Sequence, residues 1–149
     1  MISTLDLEKL DDPSSKEDVF LGPSQWMPHG RVFGGQVLAQ SLVAATRTIE
    51  NREVHSMHGY FLRPGDINLP IKFSVDRLRD GRSFSTRRVQ AFQKDEAIFS
   101  MIASFQVHDP GHARHVALGQ RIGRVTGRGV LALLGEGPGL IGNRAALDH

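Results

Sequence analysis

The sequence predicts an α+β domain in which an antiparallel sheet is wrapped around one central helix. Two patterns indicate this fold class: one long apolar helical segment begins near residue 37, and four strand-like segments with short links follow it. The 149 residues, 40% of them hydrophobic, suffice to fill one ordinary domain core. We therefore expect one helix packed against one sheet.

The first predicted elements are a polar arm and a short strand. Residues 1–17 are polar and acidic, and we interpret them as an N-terminal arm that precedes the domain. The stretch DVFLGPSQW at 18–26 contains a short strand that ends at Gly22 and Pro23, because these residue types interrupt regular structure. The domain itself is expected to span residues 18–110.

The central helix is predicted by apolar residues that recur at a spacing of three and four. Gln36, Gln40 and Arg47 are expected to cluster away from the apolar face. Alanines on both sides make the helix apolar almost all round, as expected of a helix covered by a sheet. The apolar face consists of Val37, Leu38, Leu42, Ala45 and Ile49.

Four strands are predicted after the helix. Asp80-Gly81 and Lys94-Asp95 lie where tight antiparallel turns are needed, and Gly81 can adopt a positive φ at little cost. A strand, a long helix and a four-stranded meander form an α+β layer arrangement whose best-known form is the hotdog fold. The predicted strands span 53–63, 69–79, 82–93 and 96–107.

Four stretches also stand out by their order and spacing: RVFGGQVLAQSL, VHSMHGYFLRPGD, LRDGRSFSTRRVQAFQ and IFSMIASFQ. Together they resemble the N-terminal half of the type II acyl-CoA thioesterases, a family that includes peroxisomal relatives. The resemblance runs from about Asp18 to Pro110. It implies a hotdog domain, hydrolysis of fatty acyl-CoA to free fatty acid and CoA, and no metal or bound cofactor.

The resemblance also implies a second half. Members of the family are double hotdogs, and the residues assigned to water activation, an aspartate, a serine or threonine and a glutamine, lie in that second half. After Pro110 the sequence departs from the family pattern. We therefore expect a truncated N-terminal half, weakly active or inactive alone, that pairs with a second hotdog domain or forms a homo-oligomer.

Gly34, Gly35 and Gln36 form the first candidate substrate-binding site. Glycines at a helix start leave backbone N–H groups open to a thioester carbonyl or a phosphate oxygen. Alternatively, the glycines let the helix pass close under the sheet, and Gln36 is a satisfied interface residue. A release-factor role for Gly-Gly-Gln is disfavoured, because that role needs an exposed loop and here the tripeptide leads into an apolar helix.

His58 is the candidate catalytic residue, since a histidine can act as acid or base near neutral pH. The alternative is a core histidine bonded to a neighbouring hydroxyl. His55 is expected on the opposite strand face, so the two imidazoles are not predicted to chelate one metal ion. The face expected to carry His58 also carries Val54, Ser56, Tyr60 and Leu62.

Arginines flank one predicted hairpin, and among them Arg88 is a candidate substrate-binding residue. Forked guanidinium groups suit the phosphate oxygens of CoA. Arg87 and Arg88 should point to opposite faces of their strand, so one of them can join a given patch. The alternative is that these are solvated strand charges. The set is Arg77, Arg79, Arg82, Arg87 and Arg88.

Composition argues against several classes of protein. The chain has no cysteine, which excludes a disulfide framework and a thiol nucleophile and fits a reducing, cytoplasmic compartment. No signal peptide is recognised and no apolar run approaches ~18 residues, so no membrane partner is expected. Residues 111–149 carry a net charge of +3 but no aromatic residue that could stack on bases, so no nucleic-acid partner is predicted.

The tail, residues 111–149, is expected to be mostly disordered because nine of the sixteen glycines lie in it. At most a short helix is predicted, around Val130 to Leu134. His108, His112 and His115 have helical spacing, but no metal site is predicted there. The main alternative to an enzyme is a non-catalytic hotdog module for acyl-CoA binding or oligomerisation; a hotdog dehydratase is disfavoured because its motif is not found.

Overall fold

The computed structural model of the chain describes residues 3–11, 13 and 15–107. In this part of the chain the predicted antiparallel sheet around one central helix, the hotdog arrangement, is confirmed. No helix in it has the length and apolar character needed to cross a membrane. The elements are a 3-10 helix at Ser3–Leu5, β1 (Glu8–Leu10), β2 (Asp18–Gly22), α1 (Gly34–Thr46), β3 (Arg52–Phe61), β4 (Ile71–Asp80), β5 (Phe84–Gln93) and β6 (Glu96–Val107).

Several predictions concern residues beyond Val107. The disordered tail, its short helix around Val130 to Leu134, and the spacing of His108, His112 and His115 lie outside the described residues. The domain boundaries at residues 17 and 110 likewise stay predictions.

The strand order is β1-β2-β4-β5-β6-β3, and every neighbouring pair is antiparallel. β4, β5 and β6 form a meander as expected, but β3 pairs with β6 instead of β4. The reason lies in residues 62–70, which carry the chain from β3 past the start of α1, where the Val32 amide donates to the Gly65 carbonyl at 2.9 Å. In the described sheet, β1 and β3 are therefore the two edge strands.

α1 packs against the inner face of the sheet and is buried on most sides, as predicted. Gln36 and Gln40 do lie together, since Nε2 of Gln36 donates to Oε1 of Gln40 at 3.2 Å, but both side chains are fully buried. Gln40 Nε2 also donates to the carbonyls of Thr4 at 2.7 Å and Pro23 at 2.9 Å. The segment before α1 therefore covers the polar side of the helix.

The described N-terminal residues 3–11 pack on the domain. The sequence analysis assigned no structure to this segment, whereas the structure places β1 beside β2 and buries Leu7 to 4% exposure. Arg47 Nη1 donates to the Leu7 carbonyl, which ties this segment to the end of α1. The polar composition of residues 1–17 does not indicate that Leu7 is buried, which is why the sequence does not predict this packing.

The β5–β6 connection is the predicted two-residue turn. Lys94 and Asp95 both have a positive φ, 48° and 62°, as a type I′ turn requires, and Gln93 pairs with Glu96 across it. The β4–β5 connection is longer, and Gly81 does not use a positive φ there; its amide donates to the Phe84 carbonyl at 2.8 Å. Among the described glycines, Gly30 has the positive φ, at 72°.

A β-bulge interrupts β3 at His55. Val54 pairs with Phe105 and Ser56 pairs with Ser104, so His55 is the extra residue. The bulge reverses the alternation: Val54 packs against the core, whereas His55 Nε2 lies 2.9 Å from Ser104 Oγ on the outer face. The prediction that His55 faces away from His58, and that Val54 shares the face of His58, is therefore wrong.

Candidate functional site

The start of α1 is an uncapped helix end. Phe33 is the N-cap residue, with φ −68° and ψ 125°, and its side chain makes no capping hydrogen bond. Its carbonyl accepts from the amides of Gln36 at 3.0 Å and Val37 at 3.3 Å. The amides of Gly34 and Gly35 have no hydrogen-bond partner within the described residues. This helix end therefore offers two N–H donors and the positive end of the helix dipole.

A cavity of about 330 Å³, lined mostly by apolar residue types, lies at this helix start. Gly34 and Val37 of α1 form one side of it, and Phe61 at the end of β3 forms another. Val32, Leu62, Pro64, Gly65 and Ile98 complete its apolar wall. Arg63 is the one titratable residue among those that line it, and it lies 3.7 Å from Glu96 and donates to the Ala97 carbonyl at 2.8 Å. The cavity thus brings mostly apolar side chains beside Gly34, the first of the two residues with an unpaired amide.

The two glycines leave room for aromatic rings. A Cβ on Gly34 would lie 3.1 Å from the Phe61 ring, and a Cβ on Gly35 would lie 2.4 Å from the Phe33 ring. Close packing, one of the two readings offered by the sequence, therefore does operate here, with aromatic side chains as the close neighbours. The other reading also stays open, because the glycine amides remain unpaired.

Gln36 lies beside the helix start but turns away from the cavity. Its Nε2 donates to the Pro23 carbonyl at 2.8 Å, and its Oε1 accepts from the Gln25 amide at 3.2 Å. Together with the bond to Gln40, these contacts use both of its amide protons. The structure thus favours the interface reading of Gln36, and its substrate-binding role stays a prediction.

His58 lies on the outer face of the sheet. It pairs with Ile102, which is 48% exposed, and its ring stacks edge-on against Tyr60 at 4.8 Å between centroids. Gly59, the next residue, faces the core, where a Cβ would lie 2.7 Å from the Phe99 ring. The sheet therefore separates His58 from the Gly34 cavity, and the catalytic role assigned to His58 stays a prediction without a contact that supports it.

Arg88 also lies on the outer face, where its Nη2 donates to Asp76 at 2.9 Å. Its substrate-binding role stays a prediction, and the pairing with Asp76 matches the alternative of a solvated strand charge. Arg87 points the other way, as strand alternation requires, and is buried to 2% exposure. The two neighbouring arginines thus have quite different surroundings.

Arg87 makes five hydrogen bonds, two of which reach Thr48 just after α1 and hold that end of the helix against the sheet. Nε donates to Thr48 Oγ1 at 2.8 Å, and Nη2 donates to the Thr48 carbonyl at 3.2 Å. Nη1 donates to the carbonyls of Arg79 and Thr86. Nη2 also lies 2.7 Å from Asp80 Oδ1, and this hydrogen bond is the largest cause that lowers the pKa of Asp80. Strand alternation predicts that Arg87 and Arg88 point to opposite faces, but it predicts neither which of them is buried nor these partners.

Comparison with known proteins shows which family this chain resembles. The sequence model of the family described as acyl-CoA thioesterase N-terminal domain matches residues 22–106. The chain is 46% identical over 114 residues to human acyl-coenzyme A thioesterase 8, covering 76% of this chain and 34% of that protein. It is 46% identical over 112 residues to acyl-CoA thioesterase 2 of Haemophilus influenzae, covering 74% of this chain and 37% of that protein.

A solved structure gives the same picture. The crystal structure of an acyl-CoA thioesterase II from Mycobacterium marinum superposes with a TM-score of 0.66 and 45% sequence identity, covering 80% of this chain and 42% of that one. This chain therefore spans about a third of the length of the curated relatives that it matches.

Proposed function

The chain belongs to the family of acyl-CoA thioesterase N-terminal domains, and from this premise we propose that it takes part in hydrolysis of fatty acyl-CoA to free fatty acid and CoA. The observation that carries the proposal is the cavity lined by Gly34 at the start of α1, where the amides of Gly34 and the next residue, Gly35, have no partner within the described residues. In the proposed pose the thioester carbonyl oxygen accepts from these amides, and the acyl chain lies along Val37, Phe61 and Ile98.

The chemistry assigned to these residues is stabilisation of an oxyanion. In hydrolysis a water oxygen attacks the carbonyl carbon as a base takes its proton, and negative charge develops on the carbonyl oxygen. Two preorganised N–H donors at the positive end of a helix stabilise that charge. The carbon–sulfur bond then breaks, and CoA leaves as a thiolate that takes up a proton.

The base must come from outside the cavity wall. No carboxylate or imidazole is among the described residues that line this cavity. Loss of a positioned base typically costs ~10²–10⁴ in rate. We therefore expect slow hydrolysis by this chain alone, and a non-catalytic module that binds acyl-CoA remains the second candidate function.

We further propose that a second hotdog domain, from another copy or from another chain, covers the β3 edge. In the described sheet β3 hydrogen bonds on one side alone, to β6. Exposed apolar side chains follow this edge to the cavity: Met57, Phe61 and Leu62 are 37%, 57% and 50% exposed. A partner there would bury apolar surface and complete the cavity wall. A cytoplasmic location, suited to a chain without cysteine, is part of the same proposal.

Binding and turnover test the two candidate functions separately. The binding probe is an S-alkyl-CoA thioether, which the protein cannot hydrolyse. Gly34→Val should weaken its binding by about tenfold or more, because the added methyl groups push the Phe61 ring into the cavity. Ile102→Ala, on the outer face, is the matched control and should bind normally. Equal binding by Gly34→Val and the wild type would refute the assigned site.

Turnover of medium- and long-chain acyl-CoA by the purified chain then separates enzyme from binding module. Hydrolysis near background with intact thioether binding supports the binding module. Robust turnover would contradict the expectation of a missing base. If His58→Ala abolished that turnover, His58 would be the base in spite of its place on the outer face.

A further inference from the structure

A second cavity, of about 380 Å³, lies at the opposite end of α1. It is bounded by the residues that follow the helix and by the facing ends of β3, β4 and β5. Four arginines from separate stretches line it, together with two carboxylates, Glu50 and Asp80, so its lining carries two more positive than negative charges. The arginines are Arg47, Arg52, Arg77 and Arg87.

Three of these guanidinium groups keep N–H donors that no described residue accepts. Arg77 uses Nε for Asp18 at 2.7 Å, which leaves both of its Nη groups unpaired. Arg52 uses Nη1 for Ser85 Oγ and Nη2 for the Gly81 carbonyl, which leaves its Nε. Arg47 likewise binds the Leu7 carbonyl and Asp6 through its Nη groups and keeps its Nε. Asp6 and Asp18 are not part of the cavity wall.

The two carboxylates of the wall make no hydrogen bond to the free donors of Arg47, Arg52 and Arg77. Asp80 Oδ1 is held by Arg87 Nη2 at 2.7 Å and by Ser85 Oγ at 2.8 Å, and Glu50 lies exposed at the rim. Arg87 donates through Nε, Nη1 and Nη2 to Thr48, Arg79, Thr86 and Asp80. Asp80 also attracts Arg77 electrostatically, but it makes no hydrogen bond to Arg47, Arg52 or Arg77, so the donors that these three arginines keep are not used by the carboxylates of the wall.

The negative end of the α1 dipole would oppose an anion, but protein donors cover it. Amides following the helix donate to the carbonyls of Val43, Ala45 and Thr46, and Thr48 Oγ1 donates to Ala45 as well. Thr46 Oγ1 donates to the Leu42 carbonyl at 2.8 Å. Because these carbonyls are paired, the arginines dominate the charge of the cavity.

We propose that this cavity binds a phosphate ester. A planar guanidinium group matches two phosphate oxygens at once, and Arg77 can do so through its two Nη groups. Arg47 and Arg52 each add a positive charge and an Nε donor, which together suit a dianionic phosphate. Two sources share this chemistry: the nucleotide end of CoA, in which case the site rests on the proposed function, and a free phosphate or nucleotide, in which case it is independent of that function. The 13 residues of α1 separate this cavity from Gly34 by about 20 Å.

Calorimetric titration of the full chain with four probes identifies the ligand. The probes are adenosine 3′,5′-bisphosphate, CoA, dephospho-CoA and inorganic phosphate. Binding of the bisphosphate and CoA but not of dephospho-CoA assigns the site to the 3′-phosphate of CoA. Binding of inorganic phosphate with equal affinity assigns it to free phosphate. Absence of binding by all four probes overturns the proposal.

Substitutions locate the binding. Arg47→Gln and Arg52→Gln should each weaken binding by about tenfold, the loss expected for one charge-assisted contact, while Arg52→Lys should recover part of it. Arg31→Gln removes the same charge from an exposed side chain far from the cavity and is the matched control. An equal loss in Arg31→Gln would reduce the effect to nonspecific attraction and overturn the proposal.

Glu50→Gln keeps the proposal testable if an arginine variant does not fold. Removal of this rim carboxylate should tighten binding severalfold, and unchanged or weaker binding would count against the site. Arg88→Gln tests the rival position on the outer face, and a loss there instead would overturn the assignment. Because the bisphosphate has neither acyl chain nor thioester, its binding fails or succeeds independently of hydrolysis.

Discussion

The two ends of α1 are built in opposite ways. At its start Gly34 and Gly35 have unpaired amides, and Gly34 lines a cavity of mostly apolar residues. At its end the carbonyls of Val43, Ala45 and Thr46 are paired. Arg87 makes five hydrogen bonds there, two to Thr48 just after the helix and three to β4 and β5. The two ends of one helix thus have different roles. The C-terminal end is fixed to the sheet by hydrogen bonds, whereas the N-terminal end keeps N–H donors available for a ligand.

The sharpest test of this division is to remove the anchor. Arg87→Met keeps the length of the side chain but leaves the carbonyls of Thr48, Arg79 and Thr86 without their donor. The free energy of unfolding should fall by about 2–4 kcal/mol, as for other buried charged groups that lose one partner. Urea denaturation followed by circular dichroism measures the change.

Arg88→Met is the matched control for this substitution. Arg88 is the next residue in β5, half-exposed, and paired with Asp76 on the outer face. Exposed pairs contribute ~0–1 kcal/mol, so a small change is expected. If the free energy of unfolding fell equally in Arg87→Met and Arg88→Met, the buried hydrogen bonds of Arg87 would contribute no more to stability than an exposed ion pair.

Two buried hydroxyls provide a second, smaller contrast. Thr48 Oγ1 donates to Ala45 and accepts from Arg87, whereas Ser41 Oγ, in the middle of α1, has no partner within the described residues. Thr48→Val should cost about 1–2 kcal/mol of unfolding free energy, while Ser41→Ala should add about 0.5–1 kcal/mol. A destabilised Ser41→Ala protein would show that the Ser41 hydroxyl does have a stabilising contact. The comparison uses thermal and urea unfolding of both variants.

The smallest expected effect is a dependence on pH at the anchored end. Hydrogen bonding to Arg87 lowers the pKa of Asp80, and the pKa of Asp18 is lowered in the same way by Arg77. A carboxyl whose pKa is lowered by folding stabilises the fold above its unfolded pKa, and this contribution is lost as the pH falls through the lower folded value.

Stability should therefore decline below about pH 4, and Asp80→Asn should decline less steeply there. Since Asp80 is half-exposed, the difference at neutral pH should stay below about 1 kcal/mol. Unfolding free energies measured from pH 7 to pH 3 give both slopes. Parallel curves for the variant and the wild type would contradict the role of Asp80.

Periodicity predicted the order of helix and strands, because the spacing of apolar residues is a local property. It missed the bulge at His55, since a bulge exists only relative to a partner, here the run from Ser104 to Phe105 on β6. It placed His58 on a face with Val54 for the same reason. A period of two cannot register one extra residue.

The candidate sites show the same limit. Glycine at a helix start is visible in the sequence, so Gly34 and Gly35 are predictable candidates, and Gly34 does line the cavity. Gln36 was marked by the same tripeptide, yet its partners are carbonyl and amide groups more than ten residues away. Phe61 was not singled out at all. No sequence pattern near Phe61 predicts that its ring packs on the start of α1.

The place of β3 in the sheet also bears on how the chain assembles. β3 precedes β4, β5 and β6 in the chain, yet within the described sheet its one partner is β6, and Arg52 pairs with Val107. β4 and β5 can form a hairpin because they are neighbours in the chain. β3 can pair only after β6, the last described strand, has been synthesised. A nascent chain that has reached β5 therefore carries β3 without its partner strand, with Val54, Met57 and Phe61 uncovered. The risk of misassociation is thus greatest during synthesis, before β6 has formed.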